Sequence, residues 1–245
     1  LLLVCNAGEE GLGNLKGVHK ICEDFGDRIE RFCTFDSSLS SIVDRAVGSK
    51  RFRVRVRTRG GHSYNNFGND NAIAGLASLV GKLYKIQVPE GGKTTYNVGM
   101  ISGGTSVNTI AQEAEMLYEF RSDRRENLEY MERQFMKVID RGKSEGMDVS
   151  LEIIGVRPCE GPVDPKRKQA LSDWAHRVVE EMTGQAPKHC AGSTDCNIPL
   201  SLGIPSVCVG SFRGAGAHTR EEYVETDSLE EGYKVAFGMI FGSRD

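Results

Sequence analysis

The sequence predicts an α/β domain with a mainly parallel sheet, interrupted by an inserted α+β domain of the ferredoxin-like kind. Three observations carry that prediction. Leu1–Cys5 and Ile204–Val209 are continuous apolar runs, the pattern of strands covered on both faces. Residues 51–59, by contrast, alternate strictly, with Phe52, Val54, Val56 and Thr58 on one face and five arginines on the other, as in a half-buried antiparallel strand. Between 51 and 157 the patterns then run strand, helix, strand, strand, helix, strand, the split βαβ order. The expected division is 1–47 and 158–245 for the two parts of the α/β domain, with 48–157 as the insertion.

Taken in order, Leu1–Cys5 is expected to deliver Glu9 and Glu10 into a loop punctuated by Gly8, Gly11 and Gly13. Asn14 is placed to cap a helix with Leu15, Val18, Cys22 and Phe25 on one face. A strand over 31–35 ends at Asp36. In the insertion, a helix from about Asn69 is expected to bury Ile73, Leu76, Val80 and Leu83. A strand over 96–101 follows, then one over 114–121 with Ala114, Met116, Tyr118 and Phe120 inward. Leu128, Met131, Phe135 and Ile139 mark a helix over 126–145, and 149–157 closes the segment as a strand. Beyond Pro158, a helix carrying Leu171, Trp174, Val178 and Met182 ends at Gly184. Residues 189–197 are expected to be a loop before a helical turn around 199–202, and 214–218 a glycine-rich loop. Ser228-Leu229-Glu230-Glu231 has the form of a capping box, opening a last helix with Tyr233, Ala236, Phe237 and Ile240 buried.

Composition narrows the function classes. The 245 residues are 27% charged and 39% hydrophobic, with 31 basic against 34 acidic residues and a net charge of −3, which implies no general affinity for nucleic acid. The arginine face of 51–59 has acidic partners available in Glu113, Glu115, Glu119 and Glu152, so cross-strand ion pairing is its expected fate. No apolar run approaches the roughly 20 residues that span a bilayer. Nothing resembles a leader peptide. Seven scattered cysteines with no C-x-x-C pair suit reduced thiols in a cytoplasmic protein.

The chemistry concentrates in carboxylates and an imidazole at strand ends. Glu9, Glu10, Asp36 and His218 each follow a short apolar stretch of the α/β portion, and such strand ends converge on one rim of a parallel sheet. Adjacent glutamates sharing a site raise one pKa unless a cation holds the other, so one on a metal and its neighbour as a general base is a consistent division of labour. Mixed carboxylate and imidazole ligation suits zinc, with cobalt or manganese as alternatives.

Five motifs occur in order: Asn6-Ala7-Gly8-Glu9-Glu10-Gly11; Gly60-Gly61-His62-Ser63; Gly104-x-x-x-Asn108-Thr109-Ile110-Ala111; Ser193-Thr194-Asp195-x-Asn197-Ile198-Pro199; and Gly216-Ala217-His218-Thr219-x-Glu221-Glu222-Tyr223. Together they resemble the zinc-dependent exopeptidases and deacylases that include peptidase T, succinyl-diaminopimelate desuccinylase and aminoacylase, with peptidase T-like members nearest. The resemblance implies a two-zinc catalytic domain with an inserted lid through which the chain forms a homodimer, acting on a small peptide or an N-acyl amino acid. It implies Glu9 as the general base, Glu10 and His218 on one metal and Asp36 on the other, and His62 as the oxyanion donor. Asn108, Arg121, Ser193, Thr194 and Asp195 are the implied substrate contacts, with pairing of Arg121 to a glutamate as the alternative. The family's H-x-D histidine and bridging aspartate precede the glutamate pair and have no counterpart here, so the expectation is an incomplete catalytic domain that binds metal weakly and hydrolyses little by itself. A non-catalytic dimerisation or binding module is the reading from a different class.

Overall fold

The computed structural model describes residues 1–217 and 219–242. Along the chain the elements are α1 (Lys16–Phe25), β1 (Phe32–Phe35), β2 (Ser41–Ala46), β3 (Gly48–Arg57), β4 (Gly61–His62), α2 (Ala72–Leu83), β5 (Thr94–Gly103), β6 (Thr109–Ile110), β7 (Glu113–Ser122), α3 (Arg125–Ser144) and β8 (Asp148–Arg157). They continue with α4 (Pro165–Thr183), β9 (Lys188–Gly192), α5 (Asn197–Ser201), β10 (Ser206–Val209), β11 (Arg213–Ala215), β12 (Tyr223–Glu225) and α6 (Ser228–Phe241). They divide into two compact units, Leu1–Val47 with Arg157–Asp245, and Gly48–Val156.

The first unit is built on a four-stranded sheet in the order β1-β10-β2-β9. Pairing is parallel for β1 with β10 and for β2 with β9, and antiparallel for β10 with β2, so the sheet is mixed but mainly parallel. All four residues of β10 are buried, as a strand covered on both faces requires. Val207 and Val209 pack with Ile42, Leu171, Trp174, Val178, Val235 and Met239 under α4 and α6. Cys208 packs with Val43, Ala46, Cys196 and Leu200. Helix α1 adds a smaller cluster of Leu15, Val18, Cys22 and Ile198.

The second unit has the sheet order β5-β7-β3-β8 with α2 and α3, the ferredoxin-like arrangement that the element order predicts. Phe52, Val54 and Val56 of β3 and Ala114, Met116, Tyr118 and Phe120 of β7 are buried, as the alternation requires. Phe135 of α3 sits 4.4 Å from Phe52 and 5.1 Å from Tyr118 between ring centroids. On the polar face the antiparallel register sets Arg51 opposite Glu119, Arg55 opposite Glu115 and Arg57 opposite Glu113. Each of these pairs closes an ion pair, and Arg53 reaches Glu152 at 2.8 Å. Those arginines are therefore neutralised within the unit by facing carboxylates, as expected.

Several local expectations do not hold. Leu1–Cys5 is not a strand: it has no regular structure and Leu1, Leu2, Leu3 and Val4 are exposed, because no neighbouring strand satisfies its main chain. Asn14 does not cap α1; it adopts a left-handed conformation, as does Leu15, which stands at the N-cap position without a side-chain bond. Helix α2 begins later, behind Asn71, whose side chain accepts from the N–H groups of Ile73 and Ala74. Its buried stripe is Ala72, Leu76, Leu79 and Leu83, which turns Ile73 outward. Met182 of α4 lies at the edge of the covered face and is exposed.

Residues 188–192 form strand β9 where a loop was expected, since β2 offers them a parallel partner from Ser41 to Ala46. Part of the glycine-rich segment, 213–215, pairs with 223–225 as a two-stranded ribbon. The capping box before α6 does not form: Asp227 holds the N-cap position without a side-chain bond, and Ser228 Oγ instead donates to the Glu225 carbonyl and accepts from the Arg213 N–H. On α6 the covered face is Gly232, Val235, Gly238 and Met239, leaving Tyr233 68% and Phe237 52% exposed. The helix turns its glycine stripe inward because a side chain at Gly232 would meet the Ser211 main chain at 1.8 Å.

Candidate active site

The acidic rim is assembled in the first unit from three chain segments. The extended segment before Glu9 is anchored by Asn6, whose Nδ2 donates to Asp195 Oδ2 at 2.6 Å, and by the Lys16 N–H, which donates to the Gly8 carbonyl at 3.2 Å. Gly17 of α1 permits this approach, since a Cβ there would lie 1.9 Å from Asn6 Oδ1 and 2.3 Å from the Ala7 carbonyl oxygen. Asp36 follows β1 directly. The Ser193–Asp195 turn lies between β9 and α5 and is held by Asn197, whose Oδ1 accepts from the Thr194 N–H.

At the centre is Arg157, the last residue of β8, with a side chain only 5% exposed. Its Nη1 donates to Glu9 Oε1 at 2.9 Å and to Ser193 Oγ at 3.2 Å, and its Nη2 donates to the Glu9 carbonyl at 2.6 Å. Glu9 is 17% exposed in its side chain, and burial pushes its pKa up from the ordinary value. Arg157 opposes that shift, while the neighbouring charges of Glu10 and Asp36 add to it. Asp195 is raised as well, by burial first, with Asn6 and Arg157 opposing and Asp36 adding. Its Oδ1 is buried without a hydrogen-bond partner. Burial also pushes the Cys208 thiol up to about 12 and Cys22 to about 11, which disfavours a thiolate nucleophile at either position near neutral pH.

Of the residues singled out in the sequence, Glu9, Glu10, Asp36, Ser193 and Asp195 thus fall within electrostatic or hydrogen-bond reach of one another, with Thr194 in the same turn. His62, Asn108 and Arg121 belong to the second unit. His62 pairs with Thr109 in the β4–β6 ladder, and the Ser63 N–H donates to the Asn108 carbonyl. His62 Nδ1 accepts from the N–H groups of Tyr64 and Asn65, which leaves the ring proton on Nε2. Arg121 forms a bidentate pair with Glu119 at 2.9 and 3.1 Å, the alternative the sequence left open. In Glu119 burial raises the pKa, but Arg121 and Arg51 outweigh it and the net shift is downward. His218 lies outside the described residues.

Two residues of this site carried no assigned role in the sequence, although Asn197 stands in the fourth motif. Arg157 carries no motif; its only sequence signal is its place as the cation that ends an expected strand. Asn197, fully buried, donates from Nδ2 to the Val47 carbonyl at 2.8 Å and the Pro158 carbonyl at 2.9 Å, positions that flank the insertion in the chain.

For a metal, the carboxylates of Glu10 and Asp36 are suitable donors in kind. In number they fall short: among the described residues no three His, Cys, Asp or Glu side chains converge on one point, and Glu9 is clamped by Arg157. The described residues do not fit a complete catalytic zinc site, which takes three protein ligands.

The described structure thus defines an α/β unit with a carboxylate rim and an inserted ferredoxin-like unit. Residues 46–147 match the peptidase dimerisation domain family. Among solved structures, the chain is similar to aminopeptidase PepT from Bacillus cereus, at 21% identity and a TM-score of 0.72, over 96% of this chain and 62% of that one. It is similar to a tripeptidase from Staphylococcus aureus, at 21% identity and a TM-score of 0.73 over the same shares. The aminobenzoyl-glutamate utilization protein from Klebsiella pneumoniae matches at 16% identity and a TM-score of 0.66, over 96% of this chain and 59% of that one. The chain thus spans about three-fifths of the length of these structures, and at such identities the likeness establishes the fold. A comparison with curated protein sequences finds no match. The domain match and the shared fold support the resemblance to the zinc-dependent exopeptidase and deacylase family.

Proposed function

We propose that the whole protein hydrolyses the amide bond of a small peptide, as a peptidase T-like exopeptidase, with Glu9 taking the proton of the attacking water. The observation that carries this reading is the setting of Glu9: a carboxylate largely withdrawn from water, raised in pKa, with Glu10 and Asp36 beside it. A base tuned upward accepts a proton more readily near neutral pH than an ordinary glutamate. Arg157 fixes its orientation through Oε1 and the main-chain carbonyl, leaving Oε2 outside that clamp to take the proton.

His62 is proposed as the donor to the developing oxyanion, through the Nε2–H that its Nδ1 contacts leave outward. Asn108, Ser193, Thr194 and Asp195 are proposed as substrate contacts. The dimerisation-domain match supports a homodimer formed through 46–147. Metal dependence, with zinc as the ion, rests on the family resemblance. A cytoplasmic setting is proposed because no disulfide links the seven cysteines; among the described residues no helix is long and apolar enough to cross a membrane.

The test is the metal-supplied whole protein assayed against small peptides and N-acyl amino acids, beside Glu9→Gln. Replacing a general base should lower kcat by about 10² to 10⁴ with KM little changed. An undiminished kcat in Glu9→Gln would remove Glu9 from the role. Cleavage confined to N-acyl amino acids would turn the reading to a deacylase, and cleavage of neither class to a non-catalytic dimerisation module.

A further inference from the structure

Residues 60–69 and 94–112 contain no Asp, Glu, Lys or Arg, in a chain that is 27% charged. The two stretches meet in the second unit, where Gly61 and His62 of β4 pair with Ile110 and Thr109 of β6. The Ser63 N–H extends that pairing by donating to the Asn108 carbonyl at 2.9 Å. His62 is therefore flanked along the chain and across the ladder by segments without a formal charge.

The loop that leaves β4 is closed by its own polar groups. Asn66 Oδ1 accepts from the His62 N–H at 2.9 Å, and the Asn66 N–H donates back to the His62 carbonyl at 2.9 Å. Asn69 Nδ2 donates to the Gly60 carbonyl at 2.6 Å, while the Tyr64 and Asn65 N–H groups donate to His62 Nδ1. The loop folds tightly onto itself here: Gly61 stands at a φ of +142°, and a side chain there would meet Asn66 at 2.7 Å. Its two aromatic side chains are left in water. Tyr64 is 86% and Phe67 91% exposed, and Val107, beside Asn108, is fully exposed. Single apolar side chains on a surface are ordinary. Two aromatics on one hydrogen-bonded, uncharged loop are a preorganised apolar surface, held in place before any ligand arrives.

We propose that Tyr64 and Phe67 set the substrate class, by receiving an uncharged, apolar side chain on a residue flanking the scissile amide. The proposal rests on the reading of His62 as the oxyanion donor. The two side chains that flank an amide start from Cα atoms only about 3.8 Å apart. A donor to the oxygen of that amide thus brings the residues two and five positions along its own closed loop to the same part of the substrate. An aliphatic or aromatic side chain there gains by covering the exposed rings. A charged one finds no counter-ion on either stretch and gives up water on the ring faces, so Asp, Glu and Lys are disfavoured.

The test is the metal-supplied whole protein assayed against peptides that differ only in a residue flanking the cleaved bond, with Leu or Phe against Ser or Asp. The Leu and Phe peptides should exceed the others by at least about tenfold in kcat/KM. Tyr64→Ser and Phe67→Ser, at exposed positions and checked by circular dichroism, should each reduce that ratio, through KM for the Leu and Phe peptides more than through kcat. His62→Gln separates the two readings: it should lower kcat on every peptide and leave the ratio between them. An undiminished kcat in His62→Gln, or cleavage of no peptide, removes the reading of the site and the proposal with it. If His62 keeps its role, an absent or reversed preference, or one that survives in both aromatic variants, overturns the proposal alone. Sedimentation velocity covers the other occupant: loss of a homodimer in the variants, with an even fall on all peptides, would assign the rings to a second copy and overturn the proposal as well.

Discussion

Replacing Arg157 by methionine is the most informative perturbation of the carboxylate rim. The guanidinium is 5% exposed and holds Glu9 through Oε1 at 2.9 Å and its carbonyl at 2.6 Å, with Ser193 Oγ at 3.2 Å. Methionine fills much of the same volume but leaves the Glu9 carboxylate half-buried beside Glu10 and Asp36 with no compensating cation. Breaking a buried pair by removing one partner costs about 3–5 kcal/mol. The cost should depend on pH in a definite direction. Glu9 has a folded pKa above its unfolded value, so its ionisation opposes folding: stability is intact below the unfolded pKa and is lost as pH rises toward the folded pKa. Without Arg157 the main lowering influence is gone, the folded pKa climbs further, and the loss extends higher in pH. Each further tenfold weakening of Glu9 as an acid in the folded protein removes about 1.4 kcal/mol above that range. Urea unfolding at pH 4 and pH 7.5 measures this directly, and Arg157→Met should be more destabilised at pH 7.5. In the double variant with Glu9→Gln, much of the penalty and its pH dependence should vanish, because the uncompensated charge is no longer there. Equal destabilisation at the two pH values, or a total loss under about 1 kcal/mol, would refute the clamp.

Two further predictions concern how the site is held together. Asn197→Ala removes the donor to the Val47 and Pro158 carbonyls and the acceptor for the Thr194 N–H, and should destabilise the first unit by about 2–4 kcal/mol in denaturant unfolding; a change within about 0.5 kcal/mol would show that other groups satisfy those atoms. Gly17→Ala drives a methyl into Asn6 and Ala7, and should release the 1–9 segment, seen as faster amide exchange at Lys16, whose N–H bonds the Gly8 carbonyl; unchanged exchange would mean that the segment is anchored elsewhere.

Local periodicity carried much of the second unit. The alternation of 51–59 and 114–121 has a period that only a pleated strand satisfies, and the acidic residues facing the arginines follow from register once β3 and β7 pair. The stripe Leu128, Met131, Phe135 and Ile139 is likewise a property of the segment itself, and all four are buried. Where the pattern was weaker, the outcome depended on the neighbour. Leu1–Cys5 and Ile204–Val209 read alike in sequence, yet Ser206–Val209 gained strands on both sides and Leu1–Cys5 none, so one is buried and the other exposed. In α6 both the 233/237 stripe and the 232/235/239 stripe suit a helix, and the close main chain at Ser211 selected the side with the glycine.

The sequence by itself marked the carboxylates as candidates, Glu9 and Glu10 by the glycines around them and Asp36 by the apolar stretch that forms β1. It also determined the faces of the strongly periodic strands and helices, since period is a local property. Only the tertiary structure decided what those carboxylates meet. Arg157 lies 148 positions from Glu9 in the chain and Asp195 lies 189 from Asn6, with no motif to link them. Their pairing, and the rise in the Glu9 and Asp195 pKa values, come from burial and from charges brought together by folding, quantities that a linear pattern does not contain.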